Sequence, residues 1–221
     1  MENGALKKKF TGAFQLMRPS QWLKNIFLFA PVIFSKHLFD LSYLQRETIA
    51  FIGFCLVSSM VYAINDVADR KADALHPIKR NRPFASGLLQ ISDIVVLVLV
   101  LLSCTISLLP LLPVQFWYTI VVYGGLNIAY SLWLKQVVIV DVFVIASGFM
   151  LRVLAGAFAI EVLVSPWLIL CTLFVSLFLA VSKRRGELLL SAATGSSPFR
   201  PVLKHYDMAF MDQVMTVAAS G

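Results

Sequence analysis

Residues 65 to 83 read NDVADRKADALHPIKRNRP, with three aspartates and five basic residues in a chain that is only 14% charged. The runs on either side decide what kind of protein holds them. The 221 residues are 59% hydrophobic with a mean hydropathy of +0.81, outside the range of ordinary soluble domains. Successive apolar stretches, each near the ~20 residues that a helix needs to cross a hydrocarbon core, fall at 21–39, 48–65, 94–112, 115–134, 137–160 and 167–182. Trp22, Trp117, Trp133 and Trp167 stand at their ends, where indoles favour the headgroup layer. The expected fold is all-α, a polytopic transmembrane bundle forming one domain over 1–221. A seventh apolar run from Ala209 to Gly221 is too short to cross, so the bundle is expected to be truncated there.

The net charge of +7 invites a nucleic-acid reading, but the positions of the bases argue against it. Sixteen of the nineteen Lys and Arg lie before the first apolar segment, at its mouth, or after the second, fourth and sixth. Only Lys36 and Arg46 lie in the alternate connections, and Arg152 is inside the fifth segment. By the positive-inside rule the N-terminal segment 1–20 and the connections 66–92 and 183–208 are cytoplasmic. That makes the chain an integral membrane protein with a cytoplasmic N-terminus and accounts for its basicity without nucleic acid. Lys7 to Lys9 imitate a signal-peptide start, yet no cleavage site follows, and a retained segment lying along the interface is expected. Cys55, Cys104 and Cys171 are isolated within apolar helices, which points to neither a disulfide framework nor a zinc site.

If the second helix runs on to Leu75, just before Pro77, then Asp66, Asp69 and Asp73 fall within about 60° on one face. Like charges at that spacing repel, so a divalent cation is expected to offset them. Three hard carboxylates suit Mg²⁺, which leaves coordination positions for substrate phosphates. Lys79, Arg80 and Arg82 stand downstream to meet phosphate oxygens that the metal leaves free.

The pattern N-D-x-x-D-x-x-x-D after the second membrane helix, followed by R-P-x-A-S-G from Arg82 to Gly87, resembles the first aspartate-rich motif of the UbiA superfamily of intramembrane prenyltransferases. The resemblance implies that Asp66, Asp69 and Asp73 hold the Mg²⁺ of a diphosphate inside a helical bundle, with Asn65 as a hydrogen-bonding neighbour. Ordinary members carry a second acidic motif after the sixth helix. Here SKRRGELLL supplies Lys183, Arg184, Arg185 and Glu187, which suits additional phosphate better than a second metal. With R-P-x-x-W-x-K-N (Arg18, Lys24, Asn25), Y-S-x-x-L-K (Tyr130, Lys135) and S-G-F-x-L-R, the set is similar to the decaprenyl-phosphate phosphoribosyltransferase branch. That likeness implies transfer of 5-phosphoribose from 5-phosphoribosyl 1-diphosphate to a polyprenyl phosphate, with Lys183 and Arg184 in the catalytic set. The family's larger helix count implies that a C-terminal piece or a neighbouring protomer closes the groove, so a homo-oligomer is among the expected partners.

Asp141 and Arg152 lie inside a membrane helix, where each charge costs ~2.5–3.5 kcal/mol on insertion scales. Eleven residues apart, they share a face but stand ~16 Å apart along it. Asp141 is assigned to the substrate-binding set and is expected to orient Lys135 or a base near Lys183, and Arg152 to act as a structural tie. Asp207 is read as a helix cap, and Asp212 and Gln213 as residues that could face the site. The rival readings are a prenyltransferase acting on a polyprenyl diphosphate and an aromatic acceptor, a membrane transporter, and an inactive fragment.

Overall fold

The computed structural model describes residues 2–75, 78–193 and 206–220. Nine α-helices are found among them, with no strand. Helix α1 (Glu2–Leu16) precedes a 3₁₀ helix (Pro19–Phe29) that runs into the short α2 (Ala30–Phe34). After these come α3 (Leu41–Ala68), α4 (Arg70–Leu75), α5 (Ile91–Ser107), α6 (Val114–Leu132), α7 (Val140–Ala159), α8 (Pro166–Ala193) and α9 (Met208–Ser220). Four helical stretches are long and apolar enough to cross a membrane: Leu41–Ala68, Ile91–Leu111, Val140–Ala159 and Pro166–Ser191.

The first apolar segment departs from the expected α-helix. Pro31 has no N–H to bond Phe27, which helps separate α2 from what precedes it. The preceding eleven residues wind as 3₁₀, with three residues per turn and a rise of ~2.0 Å each, so side chains three apart eclipse one another. This gives the segment three distinct faces. Trp22, Asn25 and Leu28 turn toward the bundle: Trp22 Nε1 donates to Ser59 Oγ at 3.0 Å, and Asn25 and Leu28 are fully buried. Leu23 and Ile26 are exposed on the outer face. Arg18, Gln21 and Lys24 form the third.

Three other boundaries differ from the sequence reading. Asp40 caps α3 by accepting from Ser42 N at 3.0 Å, and hydrogen bonds from Ser42 hold its carboxyl below the usual range. At the other end the expected continuous helix is interrupted at Asp69, whose φ of −92° and ψ of 3° lie in the bridge region. Asp69 N still bonds Asn65 O and Asp73 N bonds Asp69 O, so α4 continues after a one-residue break. The expected connection from residue 183 is instead helix: α8 continues to Ala193, because Lys, Arg, Glu and Leu are strong helix formers and Gly186 alone opposes them. Residues 194–205 of that connection, and 76–77 of the earlier one, lie outside the described residues.

The central core joins α3, α6 and α7 with the 3₁₀ segment through Leu28, Phe54, Phe116, Ile120, Tyr123 and Ala155. A second cluster at the motif end packs Leu16 of α1 against Ala63, Phe84, Leu89 and Ile94. Lys9 Nζ bonds the Asp93 carboxylate there at 3.1 Å. Leu6, Phe10 and Phe14, spaced by four, leave an exposed apolar stripe on α1, in keeping with a helix lying along an interface.

The approach of α7 to the segment before α2 depends on Gly156. A Cβ there would stand 2.1 Å from Leu28 O and 2.6 Å from Glu47 Oε1. Backbone cannot yield as a flexible side chain can, so Gly156→Ala is expected to destabilise the bundle by about 1–3 kcal/mol, as overpacking does. Thermal unfolding of purified protein in detergent checks this; Gly124→Ala, which meets nothing within 4 Å, serves as the comparison.

Candidate functional site

Helices α3, α6, α7 and α8 and the 3₁₀ segment each contribute side chains to a chamber of about 370 Å³. From α3 come Tyr62, Asn65, Asp66 and Asp69, at the i, i+3, i+4 and i+7 spacing of one helical face. Helix α6 adds Tyr123, Asn127, Tyr130 and Ser131, α7 adds Gly148, Phe149 and Arg152, and α8 adds Lys183 and Glu187. The eclipsed face of the 3₁₀ helix supplies Gln21 and Lys24, with Arg18 just ahead of its first residue; Lys79, Arg82 and Lys135 complete the polar rim.

The aspartates are neutralised by protein cations. Arg18 Nη2 makes a very short bond to Asp66 Oδ1. Arg82 Nη1 spans Asp66 Oδ1 at 3.2 Å and Asp73 Oδ2 at 2.5 Å, while Lys135 Nζ holds Asp69 Oδ1 at 2.9 Å. The repulsion expected to require a metal is therefore already offset by three bases drawn from three other parts of the chain. Asp73 is buried behind the wall, and among the described residues no group of three or more acidic, His or Cys side chains is gathered as a preformed cage. Mg²⁺ takes few protein ligands, however, and keeps the rest for water and phosphate. Asp66 and Asp69 present hard carboxylate oxygens at the chamber, and the buried Asn65 Oδ1 beside them has no hydrogen-bond partner. This donor set fits Mg²⁺.

Besides Asp73, four residues assigned to the site by sequence do not reach the chamber wall. Arg184 is completely buried: its Nε bonds Asp141 Oδ2 at 2.5 Å, Nη1 bonds Glu187 Oε2 at 2.8 Å and Nη2 bonds Tyr130 OH at 2.7 Å. A guanidinium so engaged ties α6, α7 and α8 together and is not available to substrate. Asp141 is its buried counter-ion, which matches the expectation that it orients a base near Lys183 and corrects its assignment to substrate. Tyr206 OH also donates to Asp141 Oδ1 at 2.5 Å and accepts from Ile139 N at 2.8 Å, steadying Ile139 at a φ of 70°, which is strained for a β-branched residue. Burial, then the bond to Asp141, pushes the Tyr206 hydroxyl up to about 12, so it remains a donor at neutral pH. Asn25 is fully buried and supports Arg152. Arg80 is exposed and off the wall, because the 3₁₀ turn Lys79–Asn81 directs Lys79 and Arg82 to the chamber in its place. Asp212 likewise pairs with Arg185 at 2.6 Å, away from the chamber.

The sequence reading missed Gln21, Tyr62, Tyr123, Asn127 and Ser131 as wall residues; Arg152, expected as a structural tie, bridges α7 to Asn25 and Tyr123 and also lies on the wall. The available signal was polarity within apolar helices at spacings that match the stripe of each helix.

Comparison with known proteins shows the family and the fold. Residues 27–183 match the UbiA prenyltransferase family. The chain belongs to that family. It is 35% identical to a decaprenyl-phosphate phosphoribosyltransferase of Corynebacterium glutamicum, over 95% of this chain and 64% of the relative. It is 33% identical to one of Mycolicibacterium smegmatis, over 98% of this chain and 69% of the relative. The chain thus spans about two thirds of the length of these curated relatives. A solved UbiA homolog from Archaeoglobus fulgidus, bound to GPP and Mg²⁺, superposes with a TM-score of 0.70 at 15% identity, covering 95% of this chain and 73% of that one. The UbiA bundle and the four long apolar helices make this an integral membrane protein.

Within this UbiA bundle the Asp141–Arg184 pair is the most deeply buried ionic contact among the described residues, with both side chains wholly inaccessible. Removing one partner strands a buried charge, so Arg184→Met and Asp141→Leu should each destabilise by about 3–5 kcal/mol, while the double substitution loses less than the worse single. Thermal unfolding of the four proteins in a double-mutant cycle measures this coupling.

Proposed function

We propose that the protein transfers 5-phosphoribose from 5-phosphoribosyl 1-diphosphate to a polyprenyl phosphate and releases pyrophosphate, at the cytoplasmic face of the bacterial membrane. The observation that carries the reading is the charge of the chamber. Arg18, Lys24, Lys79, Arg82, Lys135, Arg152 and Lys183 line it against three carboxylates, Asp66, Asp69 and Glu187. A prenyl diphosphate held through metal ions needs few such cations. A donor with a 5-phosphate as well as a diphosphate, meeting a lipid with a phosphate of its own, calls for many. The names of the curated relatives support the same substrates.

In this reading Asp66 and Asp69, with Asn65 Oδ1, hold Mg²⁺, which supplies neutralisation of the diphosphate charge. Arg18, Arg82 and Lys135 already stand on those carboxylates and extend the positive field toward a departing pyrophosphate. An oxygen of the lipid phosphate attacks the anomeric carbon from the face opposite the diphosphate. The new C–O bond forms as the old one breaks, with inversion through an oxocarbenium-like transition state. A phosphate monoester is ionised near neutral pH, so the chain needs no general base, and its contribution is alignment of two polyanions in one pocket. The placement of bases along the sequence supports a cytoplasmic N-terminus and chamber.

The test supplies membranes containing the protein with radiolabelled phosphoribosyl diphosphate, polyprenyl phosphate and Mg²⁺, and extracts the lipid. Label should enter the organic phase in the wild type and fall at least 100-fold in Asp66→Asn and Asp69→Asn. A wild type that leaves all label in water, yet attaches a prenyl group to 4-hydroxybenzoate when given prenyl diphosphate, would instead establish the aromatic prenyltransferase reading.

A further inference from the structure

Among the described residues two arginines lie buried in the bundle, and their electrical surroundings differ. Arg184 is closed off by the carboxylates of Asp141 and Glu187. Arg152 is only 4% exposed, yet none of the ion pairs among the described residues includes it. Neutral groups hold it: Nε donates to Asn25 Oδ1 at 2.8 Å, Nη1 to Gly148 O at 2.6 Å and Nη2 to Tyr123 OH at 2.9 Å. The rings of Tyr123, Phe54 and Phe149 stand around the guanidinium with centroids at 4.9, 5.3 and 5.6 Å. Such a shell solvates a cation without cancelling its charge. Asn25 is fixed for this task, since its Nδ2 is bonded to Cys55 Sγ at 3.2 Å and Ser58 Oγ at 3.4 Å.

This guanidinium faces the chamber and is part of its wall. Its bond to Gly148 O reaches back one turn toward the start of α7, the end that carries Asp141. Of its five N–H donors three are used, which leaves one on each terminal nitrogen. Tyr123 OH, having accepted from Arg152, retains its own proton to donate. Lys24 enters the same wall from the eclipsed face of the 3₁₀ helix. Along α7 the position of Arg152 is about 16 Å beyond Asp141, a different depth from the end where α3 carries its aspartates. Among the described residues no carboxylate pairs with this cation.

We propose that Arg152, Lys24 and Tyr123 form a phosphate-monoester subsite on the floor of the chamber, distinct from the carboxylate mouth. The inference rests on the phosphoribosyl-transfer reading only for its two candidate ligands, the 5-phosphate of the donor and the phosphate of the polyprenyl lipid, which share this chemistry. Asn25 is a positioning residue for Arg152.

Binding measured without turnover separates this subsite from the proposed reaction. Titration calorimetry on the full chain in detergent uses ribose 5-phosphate, a short-chain polyprenyl phosphate, and pyrophosphate with Mg²⁺ as probes. Arg152→Gln should weaken one monoester at least tenfold while leaving Mg-pyrophosphate affinity unchanged, and Asp66→Asn should do the reverse. Loss confined to ribose 5-phosphate assigns the floor to the donor, and loss confined to the lipid assigns it to the acceptor. Wild-type affinity of Arg152→Gln for both monoesters overturns the subsite, as does failure of the wild type to bind either. If Arg152→Gln does not fold, Tyr123→Phe and Lys24→Gln carry the same test, with a loss of at least threefold in monoester affinity expected for each. A protein that binds monoesters through Arg152 but transfers no ribose would refute the reaction and leave the subsite standing.

Discussion

An ionised side chain inside a bundle surrounded by hydrocarbon persists only where protein groups replace the water it has given up. This chain meets the constraint in two ways, and the difference shapes the chamber. The aspartates of α3 and α4 are met by Arg18 from before the 3₁₀ helix, Arg82 from before α5 and Lys135 from after α6. The contacts that neutralise them therefore also draw four distant parts of the chain to one place. Behind that wall Arg184 and Asp141 cancel one another and hold α6, α7 and α8 in register. Arg152 is treated differently, with carbonyl, amide, hydroxyl and aromatic faces around it and charge left over.

Much of this was legible in residue types. The apolar runs located α3, α5, α6, α7 and α8, and the bias of Lys and Arg sorted the connections to one end. The motif at Asp66, Asp69 and Asp73 marked where the chamber lies, and the basic residues Lys79, Arg82, Lys135 and Lys183 do reach its wall. The failures have physical causes. A count of charges finds which residues are ionic but not which ionic residue each one faces. Arg184 and Lys183 are neighbours in sequence, yet one points into the packed interface of three helices and the other toward the chamber. Asn25 sits one residue from Lys24, and a single step along the chain carries it from the wall into the core.

The residues of the first segment were placed by a motif, which carries no winding: an α-helix of 3.6 residues per turn would spread Arg18, Gln21 and Lys24 around its axis, whereas the 3₁₀ winding stacks them in line. Local winding of this kind depends on Pro31 and on the fit against α3 and α7 through Trp22, Asn25 and Leu28, contacts that belong to the tertiary structure. The interruption at Asp69 is similar: its carboxylate pairs with Lys135 from beyond α6, a partner sixty-six positions away.

The threefold winding also limits how this part of the gene can vary. Three codons gained or lost between Pro19 and Phe29 would change the length of the segment but keep every remaining side chain on its own side. One codon gained ahead of Leu23 would rotate the register after it by a third of a turn, sending Leu23 and Ile26 to the polar pocket and Lys24 toward the interior. Length variation among functional descendants of this sequence should therefore be confined to multiples of three there, a restriction that the long α-helices do not share.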